Sequence, residues 1–264
     1  MFTSERWVFA YGHRDTAECP YLAIPLTIVD LAFILLLSSN GRPYVDSGRT
    51  IEQQRRSYLT YVNVYPVERI SGQNLHDFLK AELFDPLEMG STGFYINEED
   101  KTRLSGLYHY DENKLTLIQA PVTSHFSRKP TIFSRGGGML DSIGALLSTV
   151  GNYANFCEMI LQYGNFKGKQ IMRPETIELL ISDQISGIDN RSFSLTGYGF
   201  GVGVNNRPNN GKTKAISWTG AYNTIFLIDY EKKLTAIFMT QHHPWGYLNI
   251  MGKFVTAVVE FDEN

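Results

Sequence analysis

Glu68-Arg-Ile-Ser-Gly-Gln-Asn-Leu-His-Asp-Phe-Leu79, closed by Phe84-Asp-Pro-Leu-Glu-Met-Gly-Ser-Thr-Gly93, is the stretch on which the fold turns. From Ser71 the apolar residues Leu75, Phe78, Leu79 and Leu83 recur at three- and four-residue steps, which makes one stripe of an amphipathic helix. Ser71 is placed to cap its start. Pro86 stops it, because proline has no N–H with which to continue the ladder.

Working outward, a second helix is expected from Ser148, with Val150, Tyr153, Ala154, Cys157, Ile160 and Leu161 as its buried face. Gly164 suits the left-handed residue that closes such a helix. A third opens at Pro174 and runs Glu175-Thr-Ile-Glu-Leu-Leu-Ile181. The pattern then changes period. Tyr198-Gly-Phe-Gly-Val-Gly-Val204 alternates small and large residues, as a strand against a packed layer would. Asn205 to Lys212 is a polar loop. Thr224–Asp229 and Leu234–Thr240 read as β segments joined by Tyr230-Glu-Lys-Lys233, and near-continuous apolarity in the second argues for burial on both faces. A helix from about Tyr247 to Glu260 would cover the sheet.

A chain of 264 residues can bury a substantial core, and 43% hydrophobic with 19% charged residues is the composition of a globular protein. The formal net charge of −3 and the lack of a basic block leave no footprint for nucleic acid. Tyr21 to Leu37 is the one membrane-like run, but Pro25 and Asp30 interrupt it, so no membrane span is expected. No secretory signal is read at Met1-Phe-Thr-Ser-Glu-Arg6, which makes cytoplasmic the default compartment. Cys19 and Cys157 lack metal-type spacing, and Cys157 is expected to be a buried thiol.

Gly136-Gly-Gly138 lacks the Gly-Lys-Ser/Thr sequel of a phosphate-binding loop and is read as structural. Adjacent His242 and His243 on a strand point to opposite faces, so one ion would rarely use both. His76 and His109 are placed in polar surface settings. No metal site and no cofactor are expected.

Three blocks in order, 68–93, 134–181 and 198–241, resemble the serine β-lactamase-like hydrolases: class C β-lactamases, penicillin-binding D-peptidases and related esterases. Leu26-Thr-Ile-Val-Asp-Leu31 is a further, earlier match. The resemblance implies an α/β (α+β) fold, with an antiparallel sheet flanked by helices and a mostly helical region beside it. The site would lie in the groove between. It divides the chain into a divergent segment 1–25 and a β-lactamase-related domain 26–264, helical to about residue 185 and sheet with a terminal helix thereafter.

The family's chemistry rests on three motifs. The first is Ser-x-x-Lys, in which the lysine eases deprotonation of the nucleophilic serine. It occurs nowhere in the 264 residues. Trp7-Val-Phe-Ala-Tyr-Gly-His-Arg-Asp15 is either the family's early strand, with the nucleophile helix lost internally, or part of an unrelated leading segment.

The second motif is Tyr-x-Asn/Ser, which makes Tyr61 and Asn63 the candidate catalytic residues by their letters. Aligned on spacing instead, Arg55-Arg-Ser57 stands there, which cannot do that chemistry, and Tyr61 becomes an ordinary packed aromatic.

The third is the Lys-Thr-Gly strand triad, matched by Trp218-Thr219-Gly220 before the strand 224–229. By resemblance Trp218, Thr219, Gly220 and Ala221 are the substrate-binding residues, with the Ala221 N–H an oxyanion donor of a kind worth roughly 3–4 kcal/mol. Tryptophan in place of lysine removes a cation that would pair with a substrate carboxylate, which tilts specificity toward esters.

The expected function is therefore a β-lactamase-related serine hydrolase domain without its nucleophile. Its partner is a small-molecule ester, amide or peptide ligand. A non-catalytic ligand-binding or regulatory pseudoenzyme and a truncated fragment without a molecular role are the alternatives. In the last case missing early strands would leave an unpaired sheet edge.

Overall fold

The structure is a computed structural model, which describes residues 6–11, 22–23, 67, 71–95, 98–111, 113–114, 116–119, 146–185, 197–206, 213–220, 222–243 and 249–263. Strands β1 (Arg6–Tyr11) and β2 (Leu22–Ala23) precede helix α1 (Leu75–Leu79). Next come β3 (Tyr108–Asp111), β4 (Thr116–Gln119), β5 (Leu147–Ser148) and α2 (Val150–Leu161). A small hairpin of β6 (Asn165–Phe166) and β7 (Lys169–Gln170) leads to α3 (Pro174–Ile181). The remainder is mostly sheet: β8 (Gly197–Tyr198), β9 (Gly203–Asn206), β10 (Thr213–Gly220), β11 (Thr224–Asp229), β12 (Leu234–Met239) and β13 (His242–His243), closed by α4 (Ile250–Glu263).

The main sheet has six strands in the order β1-β12-β11-β10-β9-β8. Strands β8 to β12 pair antiparallel, as their hairpin-length connections require. The sixth is the exception in this otherwise antiparallel sheet: β1 lies parallel to β12, with Arg6 opposite Leu234 and Tyr11 opposite Met239. A parallel neighbour must return by a long crossover, and a two-residue pattern in sequence carries no information about strand direction. β1 covers the edge of β12 that missing strands would have left open.

Both faces of the sheet are buried. Ile216, Phe226, Ile228, Ile237 and Met239 join Tyr153, Phe156, Cys157 and Ile160 of α2 in the main core. Ile225, Leu234 and Ala236 pack on Met251, Phe254 and Val258 of α4. The near-continuous apolarity of β12 is explained by this double covering. Each such side chain, fully buried, contributes roughly 1.5–3 kcal/mol.

The helices follow their sequence signals with shifts at two starts: α2 begins at Val150, not at Ser148, which lies in β5, and α1 changes its cap. Thr149 caps α2, its hydroxyl accepting from the Asn152 N–H at 3.2 Å, and Gly164 closes the turn beyond it at φ +88°. Cys157 is a buried thiol whose pKa burial pushes well up. α1, however, is capped by Asn74 rather than Ser71: its Oδ1 accepts the Asp77 N–H at 3.0 Å. Gly72, at φ +72°, turns the chain just after Ser71, so the ladder starts afresh. After Leu79 the helix widens into a π turn over Lys80–Phe84, with the Asp85 N–H donating to the Lys80 carbonyl at 2.9 Å.

Tyr198 to Val204 is not one strand. It is a hairpin, with the Gly199 N–H donating to the Val202 carbonyl at 2.8 Å and Gly201 at φ +77°. The glycines read as small partners of a packed strand instead supply its turn.

His76 also differs from the surface setting expected of it. It is 7% exposed, with its ring 4.7 Å from that of Tyr95. A Cβ on Gly93 would sit 2.9 Å from His76 Cε1, so the imidazole occupies the space that glycine leaves. Burial holds the His76 pKa below its ordinary 6.5, aided by Lys80 and opposed by Asp77 and Asp85. A lowered folded-state pKa means that the unfolded chain binds the proton more readily. The stability linked to His76 is therefore full above pH 6.5 and falls as pH drops through the depressed folded value. Thermal melts between pH 7 and 5 are expected to show this loss, and His76→Phe to flatten it.

Candidate substrate-binding site

Trp218, Thr219 and Gly220 are the last three residues of β10. Trp218 lies opposite Phe226 and Gly220 opposite Thr224 on β11. Residues directly opposite share a face, and Phe226 packs 5.6 Å from the Tyr153 ring of α2. The Trp218 side chain, half-buried and packed against the main core, is thus on the face turned to the helices. Its indole meets Tyr198 edge to face, with ring centroids 5.0 Å apart and planes at 68°.

Tyr198 is held by its backbone. Its N–H donates to Asp183 Oδ1 at 3.1 Å, and its carbonyl accepts the Gln184 N–H at 2.8 Å. The same Asp183 oxygen accepts the Ile185 N–H at 3.1 Å. A Cβ on Gly197 would lie 2.7 Å from Asp183 Oδ1, so only glycine lets the carboxylate in.

Beyond the triad the chain turns sharply. The Asn223 N–H donates to the Gly220 carbonyl at 3.1 Å, and Asn223 takes φ +60°, a conformation asparagine tolerates better than most. Its buried amide Nδ2 donates to the His242 carbonyl at 2.7 Å and lies 3.2 Å from His242 Nδ1. The Thr240 hydroxyl lies within hydrogen-bond reach of the carbonyls of Tyr222 (2.9 Å) and Asn223 (3.1 Å). The His242 N–H donates to the Tyr222 carbonyl at 3.3 Å. The segment after β12 therefore clamps the turn that follows the triad. His242 is a buried member of that clamp.

Asp183, Tyr198, Thr240 and His242 from other segments, and Asn223 from the turn itself, surround the triad. Of these only Asn223 carries a local sign, an asparagine at a left-handed turn. Tyr61, Asn63 and Ala221 lie outside the described residues, as do Arg55, Ser57, His243's side chain and Gly136 to Gly138. Of the expected site the described residues are Trp218, Thr219 and Gly220, consecutive at the end of β10. Among the described residues no group of three His, Cys, Asp or Glu side chains is gathered as a metal site needs, and no helix is long and apolar enough to cross a membrane.

The family model for Beta-lactamase matches residues 62–259, three quarters of the chain. The chain belongs to the Beta-lactamase family. Its match begins at the segment that carries Asn63 and runs through the triad into α4. A curated relative, Protein Rv1367c of Mycobacterium tuberculosis, is 26% identical over 192 residues, 67% of this chain and 46% of the relative. The chain thus spans about half the length of the curated relatives it matches. Among solved structures, a variant of simvastatin synthase from Aspergillus terreus superposes with a TM-score of 0.68 at 13% identity, covering 93% of this chain and 82% of the other. EstCE1, described as a hydrolase with promiscuous acyltransferase activity, gives 0.61 at 14% identity over 86% and 81%. At these identities the likeness establishes the β-lactamase fold. It agrees with a mixed α/β architecture having an antiparallel sheet flanked by helices.

Proposed function

We propose that this chain is a ligand-holding member of the Beta-lactamase family, which receives an acyl compound at the end of β10 and performs no covalent acyl transfer itself. The observation that carries this reading is the pairing of a strand end that resembles the family's binding triad with the absence of Ser-x-x-Lys. Trp218-Thr219-Gly220 ends β10 at a braced turn, yet no lysine in the 264 residues stands three places after a serine. Without that amine a serine hydroxyl keeps its proton and is a poor nucleophile at neutral pH.

In this reading Gly220 gives a ligand close access to the strand backbone, and the Ala221 N–H is the donor that meets its carbonyl oxygen. By resemblance Tyr61 and Asn63 are the candidate hydrogen-bonding groups for such a ligand. Acyl compounds are the ligand class supported by the family, and by EstCE1, whose described activity is hydrolysis with acyl transfer. Trp218 offers no cation to a carboxylate, which supports esters over acids.

Trp218→Ala is expected to weaken saturable ester binding about tenfold, the scale of losing one fitted apolar contact. Titration of a panel of esters and penicillins into both proteins checks it. Equal binding by the two would remove Trp218 from the site, and no binding by either would dismiss the ligand-holding reading.

A further inference from the structure

We propose that His76 is a pH-operated latch: once protonated it leaves the space behind Gly93, and the segment Gly93 to Tyr95 parts from α1 and from β5 while the rest of the fold stays closed. The latch is independent of ligand holding at the end of β10.

Three features of the geometry carry it. The first is a sealed ring. His76 is buried on α1, and its Nδ1 is closed to solvent and has no hydrogen-bond partner among the described residues. Around it stand the Tyr95 ring at 4.7 Å, the Phe94 ring edge-on at 6.2 Å, and the Gly93 backbone, on which a Cβ would lie 3.3 Å from Nδ1. A neutral imidazole can rest there. An imidazolium must donate at both nitrogens, and a buried charge without an acceptor is far more costly than a neutral group.

The second feature is the lack of an answering charge. Asp77, Lys80 and Asp85 act on the ring from its own helix and the π turn after it, and all three are exposed. Asp77 is held by the Asn74 side-chain amide, and Lys80 pairs with Asp85. Across the contact, Gly93 to Tyr95 bring the Tyr95 phenol and no carboxylate. The lowered pKa of His76 agrees with both features.

The third feature is a bridge that can open beside an anchor that holds. The Gly93 N–H donates to the Leu147 carbonyl at 3.0 Å, and the Leu147 N–H to the Gly93 carbonyl at 2.8 Å. Just before it, the Ser91 N–H donates to Asn152 Oδ1 at 2.7 Å, and Thr92 Oγ1 lies 2.7 Å from Ser148 Oγ. The chain is thus fixed to α2 at Ser91 and Thr92, and Gly93 is where it can swing. In the open form His76 regains its ordinary 6.5, so that form binds the proton more readily. As pH falls from 6.5 toward the closed-form value, the open fraction rises by up to about tenfold per pH unit.

Amide hydrogen exchange of the full chain, followed by NMR and corrected for intrinsic rates, tests the latch. The Gly93 and Leu147 amides are expected to lose about tenfold in protection between pH 7 and pH 5. Their exchange should not respond to low urea, because a local opening exposes little surface, whereas β11 amides that exchange through global unfolding should respond. His76→Phe keeps a ring in the same space and binds no proton, so its Gly93 and Leu147 protection should be the same at both pH values. Unchanged wild-type protection between pH 7 and pH 5, or exchange that urea accelerates in step with β11, overturns the proposal. So does a folded His76→Phe that keeps the pH dependence. Should that variant fail to fold, the two wild-type readings still decide.

Discussion

Phe226→Ala is expected to lower the stability of the folded chain by about 3–5 kcal/mol, the range for removing a buried aromatic ring. Phe226 is 1% exposed and sits in the middle of β11, between Trp218 on β10 and Ile237 on β12. Its ring packs on Tyr153, which itself packs on Phe156 at 5.4 Å, so the contact joins sheet to α2. Alanine leaves a cavity that strands bonded on both sides cannot close. Phe226→Leu retains most of the volume and should cost roughly 1–2 kcal/mol. Urea unfolding checks both values, with the slope unchanged and the midpoint moved. A loss under 1 kcal/mol for alanine would mean that the sheet and α2 do not share this core.

Gly164→Ala is the second large effect, with an expected loss of about 2–5 kcal/mol from two separate causes. Gly164 has φ +88°, where a side chain costs roughly 1–2 kcal/mol. A Cβ there would also press on the carbonyl oxygen of Met172, with that residue's carbonyl carbon only 2.8 Å away. The obstacle is backbone, and overpacking of this kind typically costs about 1–3 kcal/mol. It cannot move freely, because the Gly164 carbonyl accepts the N–H groups of Ile171 (2.8 Å) and Met172 (3.2 Å). Gly168 is a control: it too has positive φ, at +82°, but nothing lies within 4 Å of its would-be Cβ. Gly168→Ala should therefore show the conformational cost alone. Equal losses at the two positions in parallel thermal melts would contradict the steric part of the account.

The contrast between these glycines and those of the β8–β9 hairpin shows what the chain announces and what it hides. Helices α2 and α3 are legible because their apolar periodicity, Gly164 and Pro174 act within a turn of where they stand. The β8–β9 hairpin is hidden because Gly199 and Gly201 serve equally well as small residues in a strand or as a turn. What decides is the Phe200 N–H donating to the Leu180 carbonyl at 2.9 Å, a contact with another element. The burial of His76 is hidden for a similar reason: its neighbours Asp77 and Lys80 are polar, while its burial comes from Gly93 and Tyr95. At the candidate site, the strand end Trp218 to Gly220 is visible in sequence because its three residues are consecutive. Its supports, Asp183 and the Thr240–His242 clamp, converge only after the sheet has formed. The parallel placement of β1 is a choice among sheet edges, and no short pattern encodes it.

Charge and exposure also separate what matters from what decorates. Lys167 pairs with Glu88 and Lys80 with Asp85, but all four side chains are more than half exposed. Exposed pairs contribute about 0–1 kcal/mol, so their loss should pass nearly unnoticed beside the core and turn variants above.

Intact-mass analysis after incubation with a fluorophosphonate and with a labelled penicillin tests most directly whether this polypeptide holds acyl compounds without attacking them. The expected result is an unmodified chain mass at every time point, with ester binding still detectable in the same preparation. A stoichiometric adduct mapped to any single serine would show an activated nucleophile and contradict the account.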